Sequence, residues 1–170
     1  ERKVSVSNPY AADKLIAQAR QLAAEYRRTM GKPLPGISNE IAEHDAVRLL
    51  GLETEGSPEA GWDAIEPESG RRIQIKSRTI FDESKSGQRI GQLKMNQDWE
   101  AVVLVLMDDN YEPYEIYRAM REDLAEFVDA SSSGRAKRGA MSVARFKVIG
   151  ELVWDRVNGR QDGVWDNNVG

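Results

Sequence analysis

Apolar residues recur at helical spacing through Leu15, Ala19, Leu22, Ala23, Tyr26 and Met30, which predicts a first helix. Asn8 before Pro9 marks its start, with proline at the first helical position. Gly31 and Pro33 stop it, and residues 31–36 read as a connector. A second helix is predicted from an N-cap at Ser38 to Leu50, ended by Gly51, with Ala42, Ala46, Leu49 and Leu50 as its buried stripe. Residues 52–60 are polar and read as a loop. From residue 61 the period changes. Gly61–Glu66 reads as a strand, Pro67 to Gly70 as a turn, and Arg71–Arg78 alternates as a second strand. Ala101–Met107 (AVVLVLM) is apolar throughout, the pattern of a strand covered on both faces. A turn over 108–113, a strand over Tyr114–Arg118 and a short helix over Met120–Val128 follow. Ser142 is the expected cap of a last helix that includes Val143, Phe146, Val148, Ile149 and Leu152. Residues 130–140 read as a basic loop.

These elements predict an α/β fold with a mixed central sheet flanked by helices and preceded by an N-terminal helix. A single domain is expected over residues 1–154, with its core at about 36–128. A polar, loosely held tail is expected over 155–170.

The hairpin carries the chemistry. If its turn is centred between Glu68 and Ser69, paired residue numbers sum to 137. Asp63 then faces Gln74, and directly opposed side chains share a face of the sheet. Lys76, two residues beyond Gln74, shares that face as well, while Ile73 and Ile75 point to the core. A carboxylate, an amide oxygen and an ammonium converge. Asp63 offers oxygen to a hard divalent cation, Gln74 offers a neutral oxygen, and Lys76 can stabilise charge on a phosphoryl group or position water. A surface ion pair between Asp63 and Lys76 is the plainer alternative. Acidic residues at Glu40 suit the first turn of a helix through its dipole alone. Glu43 and His44, one turn on, could line the same cleft; a solvated face is the plainer reading.

Composition narrows the chemistry. Among 170 residues there is no cysteine and a single histidine, His44. Disulfides, thiolate metal sites and multi-histidine zinc sites are thereby excluded. Neither glycine-rich nucleotide fingerprint is present. No apolar run reaches about 18 residues, so no membrane-spanning helix is expected; without a signal-peptide pattern, the default expectation is a cytoplasmic protein. The formal net charge is −4, which disfavours overall attraction to nucleic acid but permits a local basic groove. Basic residues segregate into three groups: Arg71, Arg72, Lys76 and Arg78; Lys85, Arg89 and Lys94; and Arg135, Lys137, Arg138, Arg145 and Lys147. Such groups can track phosphates without reading sequence; solvated loops are the alternative. Arg78, Arg135, Lys137 and Arg138 are the candidate nucleic-acid contacts.

The order Asp63, then Gln74-Ile75-Lys76 on the next strand, resembles the PD-(D/E)XK nuclease superfamily, and the glutamine version resembles its Mrr-like restriction endonuclease branch. The resemblance covers roughly residues 36–118. It implies a restriction endonuclease-like fold, magnesium- or manganese-dependent cleavage of DNA, often by a dimer, and a role in restriction or genome defence. It also implies Asp63, Gln74 and Glu40 (in GISNEIAEH) as metal ligands and Lys76 as the residue assisting the nucleophilic water. Trp62 stands where the motif carries proline, and Gln74 where it often carries an acid. The rival reading is a non-catalytic DNA-binding or assembly module on the same fold. A third, supported by the net acidity, is an interaction domain unrelated to nucleic acid.

Overall fold

The computed structural model describes residues 9–57, 59–82, 84–85, 87–130 and 141–161. In chain order the elements are α1 (Pro9–Met30), α2 (Ile37–Leu50), β1 (Ala64–Ile65), β2 (Arg72–Thr79), β3 (Ala101–Met107), β4 (Pro113–Met120), α3 (Arg121–Ala130), α4 (Val143–Ile149), β5 (Glu151–Asp155) and β6 (Gly159–Arg160). The strands form one mixed sheet in the order β1-β2-β3-β4-β5-β6. β2 and β3 run parallel, and the other neighbours are antiparallel.

β3 is the spine of the fold. All seven of its residues are buried, because both faces of the strand are covered. Ala101, Val103, Val105 and Met107 pack with Ile73, Ile41, Ala42 and Ala23 beneath α1 and α2. Val102, Leu104 and Leu106 pack with Trp99, Leu124 and Phe146 on the other side, beneath α3, α4 and the 90–99 segment. Each such side chain removed from water is worth about 1.5–3 kcal/mol, so β3 fixes which way its neighbours must face.

α1 docks through Ile16, Ala19, Ala23 and Ala24. Leu15, Leu22 and Met30, on the same predicted periodicity, remain exposed. Apolar residues lie on two sides of this helix, and only docking selects the one that is buried. An ion pair holds α1 in place. The Arg20 guanidinium donates to both carboxylate oxygens of the fully buried Asp45 on α2, at 2.8 and 2.7 Å.

Several boundaries differ from the sequence expectation. α2 begins at Ile37, with Gly36 as its N-cap at φ 82°. Ser38 is therefore inside the first turn and does not cap. After two prolines the chain reverses in a left-handed conformation open to glycine, and the helix starts at once. At the other end Gly51 closes α2 in the left-handed region as expected. Ser142 caps α4, accepting from the Arg145 backbone N–H at 3.1 Å. However, α4 ends at Ile149, and Leu152 lies on β5. Beyond it, β6 folds back to pair Trp154 with Arg160, so the sheet takes in Asp155, Gly159 and Arg160, within the span expected to be a loosely held tail. The apolar spacing of 143–152 fits a helix, but the open edge of β4 recruits its last part as a strand. Asn8 lies outside the described residues. Among the described residues no helix is long and apolar enough to cross a membrane.

Candidate functional site

The hairpin adopts the expected register. Ala64 pairs with Ile73 and Ile65 with Arg72. Only two residues form β1, fewer than the six predicted; Glu66 N–H to Arg71 O at 2.9 Å continues the same register, whereas Asp63 N–H donates to Ile73 O at 2.8 Å, one residue off it, so the ladder does not pair Asp63 with Gln74. Along β2 the odd-numbered side chains face α2: Ile73 and Ile75 pack there, and Ser77 donates to Asn39 Oδ1 at 2.9 Å. The even-numbered Gln74, Lys76 and Arg78 take the opposite face, along which the 89–99 segment runs.

Asp63 has a structural task besides any chemical one. Its Oδ2 accepts the Ile75 backbone N–H at 2.8 Å. β1 is too short to satisfy that donor, so the carboxylate substitutes for a strand. Its Oδ1 is left over for another partner. The Gln74 Oε1 atom is buried and has no hydrogen-bond partner. A buried carbonyl oxygen in that condition carries a penalty of about 1–3 kcal/mol, which a ligand or bound cation would remove.

Lys76 is half-buried, and Gly91 backs its ammonium: a Cβ added at Gly91 would lie 3.5 Å from Nζ. Burial holds its pKa below the ordinary lysine value; Asp63 opposes that shift and the nearby Lys94 reinforces it. Among the described residues no ion pair within 4.0 Å joins Asp63 and Lys76, although the Asp63 charge acts on the Lys76 ammonium.

The helix acids divide differently from the sequence expectation. Glu40 is in the first turn of α2 and exposed. Glu43, one turn on, is half-buried rather than on a solvated face. Burial raises its carboxyl pKa, and the negative charges of Asp63 and Glu40 raise it further. For Glu43 the structure favours the cleft-lining alternative over the solvated face; its i,i+3 spacing from Glu40 carried that alternative in the sequence. His44 is drawn the other way, its Nε2 2.9 Å from Asp13 Oδ1 on α1. Among the described residues no three His, Cys, Asp or Glu side chains are close enough to hold a metal between them. Any cation here would therefore rely on the Gln74 carbonyl beside Asp63 and one helix glutamate. The orphaned Oε1 and the spare Asp63 oxygen fit a hard cation.

The basic groups are partly spent on internal pairing. Arg71 pairs with Glu66 at 3.3 Å, Arg72 with Glu100, and Lys147 with Glu115 at 3.4 Å. Arg145 stacks over Phe127 at 5.7 Å. Arg78 remains on the site face of β2, with a buried Nε lacking a partner. Arg135, Lys137 and Arg138 lie outside the described residues.

The 89–99 segment is fastened to the hairpin. Asp98 N–H donates to Ala60 O at 3.0 Å. Gly61, at φ 92°, leaves space that the Gln97 side chain fills; a Cβ there would come within 2.4 Å of Gln97 Oε1. This interlock brings Gly91 to Lys76.

A separate cleft of about 520 Å³ opens on the opposite face of the sheet, lined among others by Ile73, Val103, Arg118, Glu66 and Glu151. Arg118 pairs there with Glu66 at 3.1 Å and Glu151 at 2.6 Å. No family model matches the sequence, and the search of curated proteins finds no match either.

Proposed function

We propose that this chain is a metal-dependent endonuclease that hydrolyses DNA phosphodiester bonds, with Asp63, Gln74 and Lys76 at its centre. The observation that carries the reading is the unsatisfied polar pair on one face of β2: a buried amide oxygen and a half-buried ammonium that senses Asp63, neither with a hydrogen-bond or ion-pair partner among the described residues. Folding alone gains nothing from such a pair. A phosphate bridged by a cation would satisfy both. The element order supports the same reading. A helix with glutamates, a hairpin bearing Asp63 and Gln74-Ile75-Lys76, and a buried parallel strand resemble the PD-(D/E)XK nucleases and a restriction endonuclease-like fold.

In this reading Asp63 Oδ1 and Gln74 Oε1 hold magnesium or manganese, with Glu43 or Glu40 as the third oxygen donor. Glu43 is the better placed, since its carboxyl already senses Asp63. A bound cation supplies charge neutralisation and polarisation of the phosphoryl group. Lys76 donates to a phosphate oxygen where negative charge develops, and partial burial strengthens that interaction. Asp63, by accepting from Ile75, keeps β2 straight at the residue between Gln74 and Lys76.

The test is cleavage of supercoiled plasmid and a short duplex with magnesium or manganese. Wild type is compared with Lys76→Ala and Asp63→Asn. Asparagine is chosen at position 63 because its carbonyl still accepts the Ile75 N–H; alanine would orphan that donor at about 1–3 kcal/mol. Each variant should lose cleavage by at least about 100-fold while keeping its thermal transition. Wild-type rates in the double variant would remove these residues from the mechanism.

A second reading has its own observation. Among the described residues the acidic groups do not close into a three-ligand metal cluster, which favours a DNA-binding module on a nuclease-like fold. That module would bind duplex DNA and leave plasmid intact in either metal.

A further inference from the structure

We infer that the outer face of α1 is a self-association surface, on which two copies of this chain pair their α1 helices antiparallel. Nothing in this pairing depends on the nuclease reading.

α1 has 22 residues and is therefore about 33 Å long. Its inner face is committed. Ile16, Ala19, Ala23 and Ala24 pack on the core, and Arg20 is pinned to the buried Asp45, so the helix cannot roll its other side inward. Yet Leu15 is 65% exposed, and Leu22 and Met30 are each 54% exposed. They are three of the six large apolar side chains exposed among the described residues. At about 100° per residue, Leu15, Leu22 and the half-buried Tyr26 fall within about 40° of one another around the axis. Ala11, also exposed, and Met30 extend this strip at its two ends. Single exposed apolar residues are ordinary, but a contiguous strip marks a contact surface.

The charges beside the strip select its occupant and the direction of pairing. Lys14 and Glu25 are both exposed. They lie on one flank of the strip, within about 20° of each other around the helix; the other flank is the one buried against the core. A two-fold axis perpendicular to two antiparallel helices brings the same flank of each copy together, running in opposite directions. Lys14 of one copy then meets Glu25 of the other, and the contact occurs twice. In that register Leu15 of each copy lies against Tyr26 of the other, and the two Leu22 side chains flank the axis. A parallel pair would set the two flanks on opposite sides and make neither ion pair. The strip, about 28 Å long and about 10 Å wide, is small beside the roughly 800 Å² per partner of a stable interface, so the dimer is weak and concentration-dependent. α1 covers the face of the sheet that bears Ile73 and Val103. Pairing therefore leaves the Gln74 and Lys76 face open in both copies.

The experiment is sedimentation velocity of the full chain at low salt, from roughly 5 to 500 μM, a range that brackets weak association. Wild type is compared with Leu22→Glu, Lys14→Glu, Glu25→Lys, the double swap Lys14→Glu/Glu25→Lys, and Val157→Glu. Val157, 89% exposed between β5 and β6, is the control for placing a charge on an apolar surface position. Wild type should pass from monomer to dimer within the range. Leu22→Glu should weaken the dimer at least about 10-fold, and Val157→Glu should match wild type. Both should keep the wild-type thermal transition at the lowest concentration, since both side chains are exposed. Lys14→Glu and Glu25→Lys should each weaken the dimer by about 3–10-fold, and the double swap should recover it. Glu25→Lys separates specific pairing from bulk charge. It makes a chain of net charge −4 less acidic, so general repulsion falls, yet the ion pairs are lost. A wild type that stays monomeric across the range, a Leu22→Glu dimer as tight as wild type, or a Glu25→Lys dimer tighter than wild type would each overturn the α1 interface.

Discussion

Replacing Lys76 with methionine should stabilise the protein while abolishing its activity. The side chain stem is retained, so packing against Gly91 and the β2 face is kept. What disappears is an ammonium that is half out of water, feels the charge of Lys94 and has no ion pair among the described residues to compensate. Complete burial of an unpaired charge costs several kcal/mol. Lys76 keeps part of its hydration and the attraction of Asp63, but burial outweighs that attraction in setting its pKa. A gain of about 1 kcal/mol is therefore expected, within the range of single stabilising substitutions. For a chain of this size that raises Tm by roughly 2–4 °C. The sign follows from linkage: a lysine whose pKa is lowered on folding penalises the folded state at every pH where it is charged, including pH 7. The assay is thermal unfolding at pH 7 without divalent cations, in parallel with plasmid cleavage. A Tm at or below that of wild type would refute the argument that Lys76 is held in place against its own solvation.

Two further outcomes test the frame around the site. Asp45→Ala would leave the Arg20 guanidinium, 11% exposed, without its bidentate partner, and should cost about 3–5 kcal/mol in denaturant unfolding; a loss under about 1 kcal/mol would mean that α1 docks without this pair. Glu100, which receives Arg72 hydrogen bonds that hold its carboxyl below the usual range, contributes stability above its unfolded pKa of about 4.3, lost as the pH falls through its lower folded value. The Tm advantage of wild type over Glu100→Gln should therefore shrink from pH 6 to pH 3; a difference that does not change with pH would exclude the linkage.

The hairpin register was legible because two local signals agreed. Turn chemistry at Pro67 to Gly70 set the centre, and the alternation of Ile73 and Ile75 set the faces; a one-residue slip would have exposed both isoleucines. β3 was legible because seven consecutive apolar residues leave no polar face to offer solvent. The start of α2 was less so, since Ser38 is a good cap by residue type and the helix instead begins directly after Gly36. Leu152 was placed on a helix because its spacing is helical; the unpaired edge of β4, distant in sequence, made it a strand.

By itself, the order of residues determined most of the helices, the paired strands, the buried spine and the common face of Gln74 and Lys76 on β2. These follow from periodicity and from turns of a few residues. Tertiary structure alone decided that Glu43 is half-buried and senses Asp63, that Arg71 and Arg72 are spent on Glu66 and Glu100, and that Arg121 fastens the 95–99 carbonyls while Gly91 backs Lys76. Those outcomes depend on which charges meet once the sheet has closed. Such meetings join residues with no periodic relation to one another, so the pattern along the chain carries no record of them.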